Sequence, residues 1–409
     1  MFKKITNTLN NNLYFGLFYL FISLCFTSIL KEIPFINILS KLAIIWGVFL
    51  TLYHVIKIIK RKPTMMELSI IIFLAFTLLI NLIFYHSVEN LKVWIMNFIF
   101  LLGLFHINLE KNIKILKREV SILSYFISIF TFVFSFISNI LLIMKKSFVI
   151  NGTLYGYDTI NDLYPGLYIY KNALAIASGI GILVTVYLLF ENNNSSIRLK
   201  TFFRFNILVQ AISLIFSKGR SAYFLVIAVP FVLLFMYIKN KSLRRAMIII
   251  PSIACITGFA VFHEKLYTFL SARNELWYSA WLLIKQHLFF GVGNESLVQD
   301  VYSMRPGVIL PGIEDGGLHN IFLQILTANG LISLILFICV LYFNLSFLIR
   351  KVDFSYAKER RLDLVLLSLV VGIIFVNLFE SNLIYIVSFI SIIFWTYLGY
   401  FISIKLNKK

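Results

Sequence analysis

Two kinds of side chain in this sequence are able to move a proton or grip an anion. One is a histidine set directly before an asparagine, His319-Asn320; the other is a pair of arginines, Arg220 and Arg273. A neutral imidazole accepts a proton near neutral pH. A guanidinium forks onto a phosphate through two parallel N–H bonds. Each residue also has a plainer use. An arginine at a membrane surface anchors by snorkelling, and a histidine at an interface is often structural. Glu314 and Asp315 beside His319 either orient the ring or keep the loop solvated. Lys218, in the turn Ser217-Lys218-Gly219-Arg220, is a weaker third cation. No paired carboxylates and no cysteine spacing mark a metal site, since Cys25, Cys255 and Cys339 lie inside apolar runs. Metal-independent chemistry without a cofactor is therefore expected. Gly291-Val292-Gly293 has no preceding strand and reads as no dinucleotide site.

The elements that position these groups are membrane spans. The chain is 60% hydrophobic and 13% charged, against about 25% charged in soluble domains. Apolar runs of about span length recur throughout, and a lipid-facing span of this kind must be a helix. They are too uniformly apolar for barrel strands. The pattern predicts an all-α membrane protein of about twelve spans: 13–30, 35–56, 66–85, 91–106, 122–144, 173–190, 202–217, 221–238, 246–262, 322–349, 362–379 and 383–404. The seventh is short and interrupted by Arg204. The tenth exceeds one crossing, so Ile321–Asn329 is expected to lie as an amphipathic turn at the outer surface, with Gly330 at the point of entry. The whole, 1–409, reads as one polytopic domain.

The net charge of +19 follows this topology. With the N terminus inside, 25 of the 37 basic residues fall on inner segments, which net +18, while outer segments net +1. This is the positive-inside pattern. It places both termini in the cytoplasm and gives the charge anionic lipid, and no nucleic acid, as its neighbour. Met1-Phe2-Lys3-Lys4 opens a first span that lacks a small-residue cleavage site.

Two outer segments break the pattern. Residues 145–172 are rich in Tyr and Gly; such rings suit sugar faces and equally a membrane interface. Asn151-Gly152-Thr153 fits a glycosylation acceptor, a match common by chance. Residues 263–320, between the ninth and tenth spans, form the larger loop and are expected to hold the chemistry. It starts with an amphipathic stretch carrying Leu270, Leu276, Trp277, Trp281 and Ile284, suited to the membrane surface.

Taken in order, these elements resemble the O-antigen ligase and polymerase family of bacterial envelope proteins. The resemblance covers about 205–400. Its strongest element is His319-Asn320, nine residues, Gly330, two residues and Ser333, where the family has Gly, Thr or Tyr in the last slot. Ser217 to Arg220 matches its Ser-x-x-Arg turn, and Arg273 with Trp277 matches Arg-x-x-x-Trp. The stretch from His287 to Gly293 is similar to His-Pro-x-x-Gly-x-Gly, with Leu288 for the proline. Tyr170-Lys171-Asn172-Ala173 is similar to an Asn-Pro-Asn segment. The resemblance implies a GT-C-like, inverting glycan transferase at the outer face of the cytoplasmic membrane. The donor is a glycan on undecaprenyl pyrophosphate, the acceptor a sugar hydroxyl on a second glycan or lipid, with a chain-length regulator among the partners. His319 would be the base and Arg220, Arg273 and Lys218 the pyrophosphate ligands, with Asn320, Gly330, Trp277 and Asn172 in support. Two sizeable outer loops suit a polymerase over a ligase. A transporter without chemistry is the reading from another class; it expects ionisable residues deep in the spans, and His54 and His106 lie near inner ends.

Overall fold

The computed structural model describes residues 10–262, 270 and 272–407. The first helices are α1 (Asn12–Phe26), α2 (Phe35–Arg61), α3 (Met65–Ile80, widening into a π turn at Asn81–Tyr85), α4 (Val88–Phe98, with a π turn at Ile99–Leu104) and α5 (Ile113–Ile143). After three short strands come α6 (Lys171–Glu191), α7 (Ile197–Phe216), α8 (Tyr223–Tyr237) and α9 (Lys241–Phe262). The last are α10 (Arg273–Gln286), α11 (Leu297–Ser303), the single turn α12 (Ile313–Gly316), α13 (Ile321–Asp353), α14 (Ala357–Val376) and α15 (Phe389–Leu406).

Among the described residues, eight helices are long and apolar enough to cross a membrane: α2, α3 with its π turn, α5, α6, α7, α8 with the turn before it, α13 and α15. The other four expected spans fall on helices that are shorter or more charged. They are α1 with 15 residues, α4, α9 with Arg244 and Arg245, and α14 with Arg360, Arg361 and Asp363. The molecule is thus a predominantly helical membrane protein.

The last helix in sequence is the innermost in space. Phe389–Lys405 of α15 is buried along its whole length, packed by α1, α5 and α14. Several of its polar groups are matched: Trp395 Nε1 donates to the Leu383 carbonyl at 2.8 Å, and Lys405 pairs with Asp363 and with Ser355 Oγ at 3.0 Å.

A second organising feature is a polar seam along α5. Ser124, Ser128, Thr131, Ser135 and Asn139 recur every three or four residues and so share one face. Ser124 meets Tyr397 at 2.8 Å, Ser128 meets Thr185 at 2.8 Å and Asn206 at 2.9 Å. Gln210 bridges Thr131 and Ser135, each at 2.9 Å, and Asn139 Oδ1 accepts from Ser213 and Tyr164, each at 2.8 Å. Between helices in lipid such bonds supply the specificity that greasy contacts lack.

Residues 147–166, read from sequence as a tyrosine-rich loop, fold into an antiparallel sheet of β1 (Ser147–Ile150), β2 (Thr153–Asp158) and β3 (Leu163–Gly166), in order β1-β2-β3. Asn151 (φ 47°) and Gly152 (φ 77°) form the two-residue turn, with Ile150 opposite Thr153. Asn-Gly is the preferred pair for such a turn because both positions need positive φ. The dipeptide has a structural reason here, whichever way the acceptor match is taken.

The tenth span also departs from expectation. Gly330 (φ 78°, ψ 178°) breaks α13, but Ile321–Asn329 does not lie free at the surface; Ile321, Gln324, Ile325, Thr327, Ala328 and Asn329 are buried. The carbonyls freed by the break are met by the segment after α10. Val292 N donates to Thr327 O at 3.1 Å, Gly293 N to Ala328 O at 2.8 Å, and Leu331 N to Leu288 O at 2.8 Å. Tyr85 Oη adds a bond to Ala328 O at 2.7 Å. A side chain at Gly330 would overlap the Phe289 carbonyl, and one at Gly291 would overlap Thr327 and Ala328. The two glycines interlock the loop with the broken helix.

Candidate active site

Four segments far apart in sequence converge on one carboxylate, Glu380, in the connection between α14 and α15. It is 6% exposed. Its Oε1 accepts from Arg273 Nη2 at 3.2 Å, Asn172 Nδ2 at 3.2 Å and Ser221 Oγ at 2.9 Å; its Oε2 lies 3.3 Å from His319 Nδ1. Burying a carboxylate is costly unless it is paired and hydrogen-bonded. Burial by itself pushes the Glu380 carboxyl up. The His319 hydrogen bond, the Arg273 charge and the Ser221 hydroxyl outweigh it and hold the group below its ordinary value.

Local structure explains why these groups meet. Asn320 caps α13, its Oδ1 accepting from Phe322 N and Leu323 N at 3.0 Å each, an arrangement Asn favours at a helix start. Its backbone N donates to Ser381 Oγ at 3.1 Å, its Nδ2 to Leu378 O at 3.1 Å, and Ile321 N to Asn377 O at 3.0 Å. The His-Asn pair thereby fastens the start of α13 to 377–381 and sets His319 against Glu380. His319 itself has positive φ (48°), an uncommon conformation for a non-glycine residue. Its Nε2 faces the Gly312 carbonyl at 3.2 Å. Trp277, one turn into α10, donates from Nε1 to Leu318 O at 2.8 Å, and its ring centroid lies 6.2 Å from that of Phe379.

Arg273 opens α10. That helix does not rest its apolar face on the membrane surface: Leu276, Ala280 and Leu283 are buried in a cluster with Leu318 and Ala328, Ile284 is buried as well, and Trp281 is exposed. Asn172 stands in the first turn of α6. The turn Arg220–Ala222 packs on that same turn; a side chain at Gly219 would run into Ala175. The turn aims Ser221 at Glu380 and leaves the adjoining Arg220 exposed. Lys218 faces the other way and pairs with Asp162 between β2 and β3.

The structure therefore brings His319, Arg273 and Asn172 together, with Arg220 beside them, Asn320 and Trp277 bracing the histidine and Gly330 shaping its helix. His287 lies apart, exposed at the far end of α10. There it lines an open cavity of about 640 Å³ with Tyr85, Phe289, Phe290 and Asp300. Glu314 is exposed. Glu380 and Ser221 escape sequence reading. One signal for Glu380 exists, a single acid in the short link between two expected spans, 362–379 and 383–404, since a charge at that depth must find partners.

The fold and this cluster define a class: a polytopic α-helical membrane protein with a buried, ion-paired acid joining a histidine and an arginine at one end of the bundle. The family model described as O-antigen ligase matches residues 205–338, from within α7 to within α13, a stretch holding Ser221, Arg273 and His319. Over that segment the chain is similar to the O-antigen ligase family. Asn172 and Glu380 lie outside the matched stretch. No curated protein matches the chain.

Proposed function

We propose that the protein transfers a glycan from a polyprenyl pyrophosphate, undecaprenyl pyrophosphate by the family resemblance, to a sugar hydroxyl at the outer face of the cytoplasmic membrane. His319 takes the hydroxyl proton. The oxygen attacks the anomeric carbon, and the lipid pyrophosphate leaves with inversion. Arg220 and Arg273 hold the pyrophosphate and its growing charge, since preorganised cations act where charge develops; Lys218, turned to Asp162, is the weaker third candidate. The reaction uses no metal. The observation that carries this reading is the meeting of His319 and Arg273, with Arg220 next to Ser221, around one buried acid. A base and a phosphate fork within one side chain of each other is what this displacement requires.

The acceptor is a second lipid-linked glycan, which makes the enzyme a polymerase of repeat units. Two sizeable outer segments, 145–172 and 263–320, support that over the ligase form, in which lipid A core or a protein accepts. Transfer from purified lipid-linked oligosaccharide in liposomes tests the whole. His319→Ala is expected to lower turnover about 10²–10⁴-fold with donor binding retained. Near-normal turnover ends the proposal, and lost donor binding recasts His319 as a phosphate ligand. Supplying lipid-linked glycan or lipid A core as sole acceptor separates polymerase from ligase.

A further inference from the structure

Glu380 divides its two oxygens between groups that serve different substrates: Oε2 meets the base, His319, and Oε1 meets the phosphate ligand, Arg273. We propose that Glu380 is a positioning residue that couples arrival of the donor to readiness of the base. This rests on the transfer reading above.

The argument is geometric. A carboxylate accepts only, so opposite Glu380 the Nδ1 of His319 must donate. That orients the ring with Nε2 outward; the Gly312 carbonyl at 3.2 Å also only accepts, so Nε2 bonds to it as a donor and becomes the base once that contact is broken and its proton is lost. Gly312 has positive φ (76°), lies between Pro311 and the single turn α12, and is exposed. An acceptor hydroxyl takes its place by displacing this carbonyl from Nε2. Meanwhile Arg273 is held on Oε1 by one nitrogen at 3.2 Å. A pyrophosphate carries more charge than a carboxylate and draws the guanidinium toward itself. The Glu380 charge is then left to His319, and Asn172 and Ser221 keep the carboxylate in place through Oε1. In the transfer step the hydroxyl proton passes to Nε2 and the hydroxyl oxygen bonds to the anomeric carbon. The bond from that carbon to the pyrophosphate oxygen breaks, its electron pair leaving with the lipid pyrophosphate. The resulting imidazolium faces the Glu380 carboxylate. Orientation and charge stabilisation of this kind operate through a buried acid in hydrolytic triads.

Full-length protein in liposomes, with purified lipid-linked oligosaccharide as donor, gives the test. Glu380→Gln keeps size and polarity and removes the charge. Its amide also donates to Nδ1, which puts the proton on Nε2. Turnover is expected to fall about 10²-fold or more, while donor affinity stays level or tightens because Arg273 is released. Glu380→Asp withdraws the carboxylate by about one carbon–carbon bond, ~1.5 Å. It is expected to lose about tenfold in turnover at unchanged donor affinity, and it decides the matter if the glutamine variant does not accumulate. Unchanged turnover overturns the proposal. So does a matching loss of donor affinity, which would make Glu380 a structural anchor for Arg273. His319→Ala, run alongside, separates the two ideas. If it too works normally, glycan transfer through His319 fails; if it is inactive while Glu380→Gln is normal, only the role of Glu380 fails.

Discussion

At the scale of single residues, the arginines call for different variants. Arg220 is exposed on its turn, so Arg220→Ala is expected to abolish transfer at normal protein levels. Arg273→Ala would also strip the counter-charge from buried Glu380, and breaking such a pair from one side costs about 3–5 kcal/mol. Arg273→Lys is the cleaner variant. It keeps a charge near Glu380 but cannot fork, so part of the activity should remain with the protein intact. Immunoblotted protein level and glycan length in the same cells check both. Normal glycan from Arg220→Ala at normal levels removes the clamp. The histidine and both arginines are legible from residue type and order alone. Glu380 is not, because its partners lie 61, 107, 159 and 208 residues away and no periodicity links such distances.

At the scale of elements, sequence periodicity finds the helices but not what they lean on. The amphipathic pattern of α10 reads equally as a surface helix or as one packed on protein, and burial of Leu276 and Ile284 decides for packing. The break in α13 is legible at Gly330, whereas its partner is not: the 288–293 segment that meets the freed carbonyls has no pattern of its own. Gly330→Ala tests the interlock. A side chain at φ 78°, ψ 178°, a region essentially confined to glycine, costs about 1–3 kcal/mol, and here it also strikes the Phe289 carbonyl. The variant should melt at lower temperature in detergent and lose transfer, since the start of α13 positions His319. A melting temperature equal to that of the parent would show that the interlock is not needed.

For the whole molecule, the uneven charge predicts the topology. The expected map puts both termini and the 350–361 loop in the cytoplasm and 263–320, which carries His319 and Arg273, outside. Phe354, 86% exposed, suits a single labelling cysteine. Phe354→Cys, with the three native cysteines replaced, should resist an impermeant thiol reagent in intact cells and react after permeabilisation. Labelling of intact cells would invert the map and put the cluster on the wrong side for an exported glycan. The central place of α15 was not legible, because an apolar span looks the same whether protein or lipid surrounds it.

The seam of α5 reaches beyond packing, to how the protein is made. During insertion α5 emerges before its partners, with its polar face toward hydrocarbon. Thr131 and Ser138 can turn back to Ile127 O and Phe134 O in their own helix. Asn139 is instead satisfied outside its helix, by Val209, Ser213 and Tyr164. The unit expected to leave the insertion machinery is therefore α5 with α6 and α7, held until the third helix arrives. A chain severed at 192–196, before α7, and co-expressed as two fragments should lose its N-terminal piece to membrane proteolysis. One severed at 354–356, after α13, should keep both pieces. Equal survival of the two N-terminal fragments on immunoblots would mean that α5 enters the membrane alone.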